Sequence, residues 1–429
     1  MSAYPYTGQL SANVGGGFGG LPVRKSVIST VASTADSFVF ESPTSTIVSE
    51  GGGGTMAGVP SCIELGDGTY LAASLPNITN LSLRRFTYDN SSTGAGGSFN
   101  PSLILLGSPI TVPLTSGTGA SALLCNLGNN KVLLVATENT NKLGAWILYT
   151  STTTPTVGTI TETAAISVYP YHLIEIGNNT ALLMSFPYAS TTPEVRIIDC
   201  NGATPVITLA TNSGSAFATC LTNGDTDNKS NLIKLSNTSF LYTVVSSATT
   251  CYMQAFTLSG TTITKSTSVA LPLNSSSTTP PIPCRISDIA ALVVYVRADL
   301  GQTPTVITGA KIVEFTGSTV NTISDTVITP SYYLLQNGRC QSFLIPCIDG
   351  TYLLGGYLTT SSLICSTLKI DASNTVSFSI KPKKIITESI SRIFIPKLLT
   401  GAKLKSSFIG MIDLAGVMQL FRLCLATTG

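Results

Sequence analysis

One pattern constrains this chain more than any other: a short apolar strand, a tight turn of Gly, Asn, Asp or Ser, and a second apolar strand, repeated seven times. The copies read CIELGDGTYLAAS (62–74), LLCNLGNNKVLLVAT (123–137), LIEIGNNTALLMSF (173–186), LIKLSNTSFLYTVV (232–245), CRISDIAALVVYV (284–296), LIPCIDGTYLLGGY (344–357) and FIPKLLTGAKLKSSFIGM (394–411). Turn residues of these types accept the positive φ of tight hairpins. The apolar runs are rich in Val, Ile, Leu and Tyr and show almost no helical periodicity, so the class is all-β.

A third apolar strand follows each hairpin: LSLRRFTYD (81–89), LGAWILYT (143–150), VRIID (195–199), CYMQAFTLSG (251–260), GAKIVEFTG (309–317), LICSTLKID (363–371) and VMQLFRLCL (417–425). After the first six comes a more polar segment with strand-like alternation, such as GTITETAAISV (158–168) or TTITKSTSVALPL (261–273). That makes four strands per unit, with the polar one outermost. The residues before the turns, Leu65, Leu127, Ile176, Leu235, Ile286, Cys347 and Leu398, stand 62, 49, 59, 51, 61 and 51 residues apart. Four antiparallel strands at such a period resemble one blade of a β-propeller, and seven blades lie within that fold's range.

The chain ends support this resemblance. The seventh unit stops after its third strand, at LCLATTG, while KSVISTVASTADSFVFES (25–42) is a spare strand-like segment near the start. A strand from one terminus that completes the sheet begun by the other removes an exposed edge. The expected fold is therefore a seven-bladed β-propeller of four-stranded antiparallel blades, the last completed by an N-terminal strand. It divides into an extended Gly-rich arm (1–24), a ring-closing segment and linker (25–58) and the propeller (59–429).

Charged residues make up only 10% of the chain and the net charge is +2, so the surface is neutral and built from hydroxyls and amides. No broad positive field favours nucleic acid as the main ligand. No run of about 18 apolar residues predicts membrane insertion, and no basic and apolar leader opens the sequence, which predicts synthesis in a cytoplasm. The ten cysteines include no CxxC pair and sit in apolar contexts such as ALLCNL, so they read as buried reduced thiols. Sequons at Asn77, Asn90, Asn178 and Asn237 are expected by chance in so Asn-, Ser- and Thr-rich a chain.

Catalytic chemistry finds little to use. The single histidine, His172, sits beside tyrosines in YPYHLIEIG, a setting for a packed structural residue, and no GxSxG, HExxH, P-loop or zinc spacing accompanies it. The acids Glu64, Glu138, Glu175, Asp288, Glu314, Asp349 and Asp413 are scattered, several of them at turns, and the SxDxGxTW box of sialidase-like propellers is missing. GDTDN (224–228) begins like a calcium loop but lacks its later ligands. GGGFGG (15–20) and GGGG (51–54) precede no helix or Lys of a phosphate site. KPKK (381–384) reads as a charge cluster that keeps an edge soluble. No cofactor or metal is expected.

Recognition is expected elsewhere. The hairpin turns are short and uniform, whereas the opposite face carries variable loops at 90–101, 212–230, 297–306 and 330–339. The arm MSAYPYTGQLSANVGGGFGGLPVR supplies Tyr4, Tyr6, Phe18, Leu21 and Arg24 as candidate partner-binding residues. A neutral Ser/Thr/Gly/Asn surface, an extended arm and no visible active site resemble a virion structural protein of a tailed bacteriophage, a tail or decoration component. The resemblance implies a non-enzymatic role in the virion, with other virion proteins or copies of itself as partners. Two alternatives remain: a carbohydrate-binding, lectin-like propeller using Asn, Tyr and Trp to meet a host-surface glycan, and a glycosidase or sialidase-type propeller enzyme.

Overall fold

The computed structural model describes residues 25–27, 37–42, 46–48, 61–77, 79–89, 102–114, 122–139, 142–163, 168–187, 190–213, 217–220, 230–247, 250–272, 280–298, 306–316, 318–328, 342–347, 350–359, 362–386, 390–393, 397–399, 406–414 and 417–426. Every regular element among them is a strand. No helix long and apolar enough to cross a membrane occurs there.

The N-terminal strands are β1 (Lys25–Val27), β2 (Ser37–Ser42) and β3 (Thr46–Val48). Sheet one follows with β4 (Ser61–Glu64), β5 (Thr69–Asn77), β6 (Asn80–Asp89) and β7 (Ser102–Pro113). Sheet two has β8 (Leu123–Gly128), β9 (Lys131–Asn139) and β10 (Lys142–Tyr149), with the short β11 (Thr156–Val157) and β12 (Thr161–Glu162) sharing the outer side of β10. Sheet three has β13 (Val168–Gly177), β14 (Thr180–Pro187), β15 (Glu194–Asp199) and β16 (Val206–Leu209).

Sheet four has β17 (Ser230–Lys234), β18 (Ser239–Ser247) and β19 (Thr250–Ser259), flanked by β20 (Thr262–Lys265) and β21 (Val269–Pro272). Sheet five has β22 (Ile282–Arg285), β23 (Ala290–Ala298), β24 (Val306–Thr316) and β25 (Thr319–Ile328). Sheet six has β26 (Phe343–Pro346), β27 (Tyr352–Thr359), β28 (Ser362–Ile370) and β29 (Val376–Ile386). The last strands are β30 (Ile390–Ile393), β31 (Lys397–Leu399), β32 (Ser406–Leu414) and β33 (Val417–Ala426); β30 and β31 both pair with β32, which pairs with β33. The other edge of β33 takes β2, from Ser37 opposite Ala426 to Glu41 opposite Arg422, and also β3.

Six units are thus antiparallel sheets of four strand positions. The predicted polar fourth strand at 158–168 differs in detail. Pairing starts at Thr156, breaks around Gly158 and resumes at Thr161, while Val168 already belongs to β13. Gly158 itself stays against β10, its N–H donating to the Ile147 carbonyl at 2.8 Å, and a Cβ there would lie 2.8 Å from the same oxygen. The fourth strand at 261–273 is likewise split into β20 and β21, and both parts pair with β19.

Each sheet buries both faces, because alternate residues of a strand point to opposite sides. On β9, Val132, Leu134 and Ala136 pack with Leu71, Leu81 and Leu83 of sheet one. Their neighbours Leu133 and Val135 pack with Ala181, Leu183 and Ile198 of sheet three. The scheme repeats between sheets three and four, four and five, and five and six. Each Val, Leu or Phe so buried contributes about 1.5–3 kcal/mol. In LIEIGNNTALLMSF, Leu182 and Met184 are wholly buried and Ile174 and Ile176 pack beside them against sheet four. The first strands follow one another around the interior: β4 lies beside β8, then come β13, β17, β22, β26 and β31 in succession.

The turn chemistry is visible in the backbone. Asn129 and Asn130 have φ of 50° and 58°, and Asn178 and Asn179 both have 53°. Asn tolerates this left-handed region, and a β-branched side chain does not. Asn179→Val is therefore expected to cost about 1–2 kcal/mol, read as a lowered melting temperature, whereas Asn179→Gly is expected to be tolerated.

Candidate functional site

A site in this architecture would form along the first strands or on the loops that join them. The polar side chains of the first strands are spent on tying neighbouring sheets together. Asn126 Nδ2 on β8 donates to the Glu64 carbonyl at the end of β4, at 2.7 Å. Lys234 on β17 does the same to β13, donating to the Glu175 carbonyl at 2.8 Å and pairing with the Glu175 carboxylate at 3.0 Å. Asn231 Nδ2 and Thr243 Oγ1 both donate to the Pro281 carbonyl just before β22, at 3.0 and 2.6 Å.

His172 belongs to the same seam. Its Nε2 lies 3.0 Å from Ser230 Oγ, joining β13 to β17, and it sits opposite Met184 on β14. The ring is half-buried, and burial holds its pKa down to about 4, so it is neutral at pH 7. A Ser–His pair at this distance is the beginning of a nucleophile and its base. Ser230 is only 1% exposed, however, and among the described residues the contact on the ring nitrogen is this hydroxyl and not a carboxylate. The pair binds two sheets together.

The acids with described side chains stand apart from one another. Glu175 is held by Lys234, Asp288 by Arg285 within its own turn, and Glu64 stands at the first hairpin. Glu314 lies on β24 opposite Ala290. Asp413 lies on β32 and Glu138 on β9, but their side chains, like all of Asp349, lie outside the described residues. Acids that were not singled out follow the same rule: Asp67 pairs with Arg85, Glu162 with Lys142, Glu194 with Arg196, and Asp325 with Lys311 and Arg297. Among the described residues no three of His, Cys, Asp and Glu gather as metal ligands. Of the eight cysteines whose side chains are described, all but Cys62 are buried.

Aromatic side chains are inside as well. None of the aromatic side chains whose burial is described is exposed, and Trp146, 4% exposed, packs between sheets one and two. This corrects the expectation that Trp146 serves a sugar-binding loop face: its strand position on β10 directs it into the core. Tyr4, Tyr6, Phe18, Leu21 and Arg24 lie outside the described residues, as do GDTDN, both glycine runs and most of the variable loops. KPKK lies on β29, the outermost strand of sheet six.

One polar anchor had no signature in the sequence. Lys265 Nζ donates to the carbonyls of Asn212 and Ser213 and stands 4.2 Å over the Phe217 ring, tying the segment between sheets three and four onto β20. Only the sheet order brings residues about fifty positions apart to that place.

No family model matches the chain, and no curated protein matches it. Solved structures do. The chain is similar to the BP39L lectin from Burkholderia pseudomallei at 10% identity, over 87% of this chain and 98% of that one, with a TM-score of 0.51. The fold is a β-propeller. Weaker likenesses are to a 6-phosphogluconolactonase-like protein from Bacteroides fragilis (11% identity, 76% and 85% of the two chains, TM-score 0.48) and the NanB sialidase from Streptococcus pneumoniae (11%, 86% and 68%, 0.43). At these identities the likeness concerns the fold alone.

Proposed function

We propose that this protein is a non-enzymatic interaction propeller of seven blades, closed by the pairing of β2 with β33. In this reading it is made in a host cytoplasm and built into a virion of the tailed-phage type, as a tail or decoration component. Residues 1–24 dock it, and the face opposite the asparagine turns meets a partner. The observation that carries the non-enzymatic part is the use of charge. Described acids on the first strands and turns are committed to architecture, as in Glu175 with Lys234 and Asp288 with Arg285, a use of charge that favours structure over a pair of carboxylates poised across a substrate. Seven-blade closure is supported by the succession of first strands from β4 to β31 and by β2 on the free edge of β33. The virion context rests on the neutral composition and the arm.

The described side chains give the lectin reading no support, because sugar recognition draws on exposed aromatic faces and every described aromatic ring is at least half-buried. The purified protein is expected to give no saturable binding on a glycan array and no turnover of fluorogenic glycosides, sialosides included. Saturable binding would move it to the lectins. Turnover would move it to the hydrolases.

A further inference from the structure

The outermost strand of each propeller sheet is an edge, with a row of unpaired N–H and C=O groups that must be guarded against stray pairing. Most edges here carry a guard. β7 contains Pro109 and ends on Pro113. β11 and β12 have two residues each, and β16 has four. β20 and β21 are interrupted at Ser266, whose hydroxyl takes the Ala255 N–H. β29 carries Lys381, Pro382, Lys383 and Lys384.

β25 differs. It runs for ten residues, TVNTISDTVI, with no Pro, Lys or Gly. Its only irregularity is a bulge at Ile323, where Ile312 and Val313 face Ser324 and Thr322. Its one charged residue, Asp325, is drawn back onto its own sheet by Lys311 at 2.9 Å and by the Tyr295 hydroxyl at 3.1 Å, so it repels nothing that approaches. Ile323 and Val327 are 46% and 38% exposed, and Ile286 and Ile289 stand exposed on the turn of the same sheet. Sheet five thus holds four of the eight exposed large apolar side chains among the described residues. No described strand pairs with its outer edge.

The geometry points to the outer edge of β25 as a strand-addition site whose occupant is the N-terminal arm, residues 1–24, of a second copy. This rests on the reading of the arm as a docking element. The arm has the right chemistry: its first 23 residues carry no charged side chain, which suits an edge whose only acid is already paired. Extended, Tyr4, Tyr6 and Leu10 share one face and can meet Ile323 and Val327 while the backbones pair. It also has the reach. It joins β1, the end strand of the seventh sheet, and 24 extended residues span about 80 Å, against a radius of gyration of about 22 Å for a chain of this length.

The test uses light scattering after size exclusion over a wide concentration range. The full chain is expected to self-associate. A chain lacking residues 1–24 and the double variant Ile323→Lys, Val327→Lys are each expected to be monomeric, with the melting temperature of the full chain because both substitutions are exposed. Mixing the two is expected to restore a one-to-one complex, since one supplies the edge and the other the arm. A full chain that stays monomeric, association that survives either change, or mixing that restores nothing would overturn the proposal. Loss of association on removing the arm but not on altering β25 would overturn this receiver while leaving the arm as a docking element.

Discussion

Replacing Arg85 with alanine is expected to cost about 3 kcal/mol of stability, most of it from carbonyls left without donors and the rest from a half-exposed ion pair. Arg85 is 6% exposed on β6. Its Nη2 pairs with Asp67 at 2.5 Å, its Nε donates to Thr69 Oγ1 at 3.0 Å, and its Nη1 donates to the carbonyls of Thr150, at 2.8 Å, and Thr152. The last two belong to the segment after β10, so one guanidinium fastens sheet one to sheet two. Gly107 permits the contact: a Cβ there would lie 2.3 Å from Thr154 Oγ1. Arg85→Lys keeps the charge but loses the planar fork, so it is expected to recover only part of the loss. Asp67→Asn is expected to cost under about 1 kcal/mol, because Asp67 is 47% exposed and meets solvent. Denaturant unfolding reads all three. A loss under about 1 kcal/mol for the alanine variant would show that the Thr150 and Thr152 carbonyls find other donors.

Stability is expected to fall as pH drops from about 6.5 to about 4, with His172 contributing about 3 kcal/mol of the loss. Burial holds the folded-state pKa near 4, while the unfolded chain titrates near 6.5. Between these values the unfolded state binds the extra proton. The contribution is whole above the upper limit, declines through the window and is gone below the lower one. Since His172 is the only histidine, no other side chain has its ordinary pKa between about 5 and 6.5, and the glutamates, at about 4.3, join only at the foot of the window. The groups around it are Ser230, Met184 opposite on β14 and Tyr171 beside it in the chain; none is charged. Asp67 and Asp371, both held below the ordinary carboxylate value, add losses only at lower pH. His172→Gln retains a partner for Ser230 Oγ and is expected to flatten the melting-temperature profile between pH 6.5 and 4. A variant that follows the full chain through this window would place the titration elsewhere.

Much of the architecture was legible because its signals are local. A pair of asparagines between two apolar runs announces a hairpin through backbone angles that few residues accept, and GNN delivered them at 128–130 and 177–179. The third strands were legible from apolar runs that pack on both faces. Outer strands were read less well, since a polar strand with one free edge has little pattern to hold it, and the approach of Gly158 to the Ile147 carbonyl has no local signature. The ties between sheets were not legible. Arg85 meets Thr150 across 65 positions and His172 meets Ser230 across 58, with no spacing rule to link them. The candidate arm residues fall outside the described structure, so the sequence remains their only warrant.

The division of each strand between two neighbours has a consequence for how such a chain can change over time. A substitution at Leu133 disturbs the packing between sheets two and three, and one at Leu134 disturbs that between sheets one and two. Repair is equally local, because compensating changes need arise only on the one facing sheet. Weakly coupled layers of this kind can therefore exchange their apolar residues independently, layer by layer, while the fold is kept.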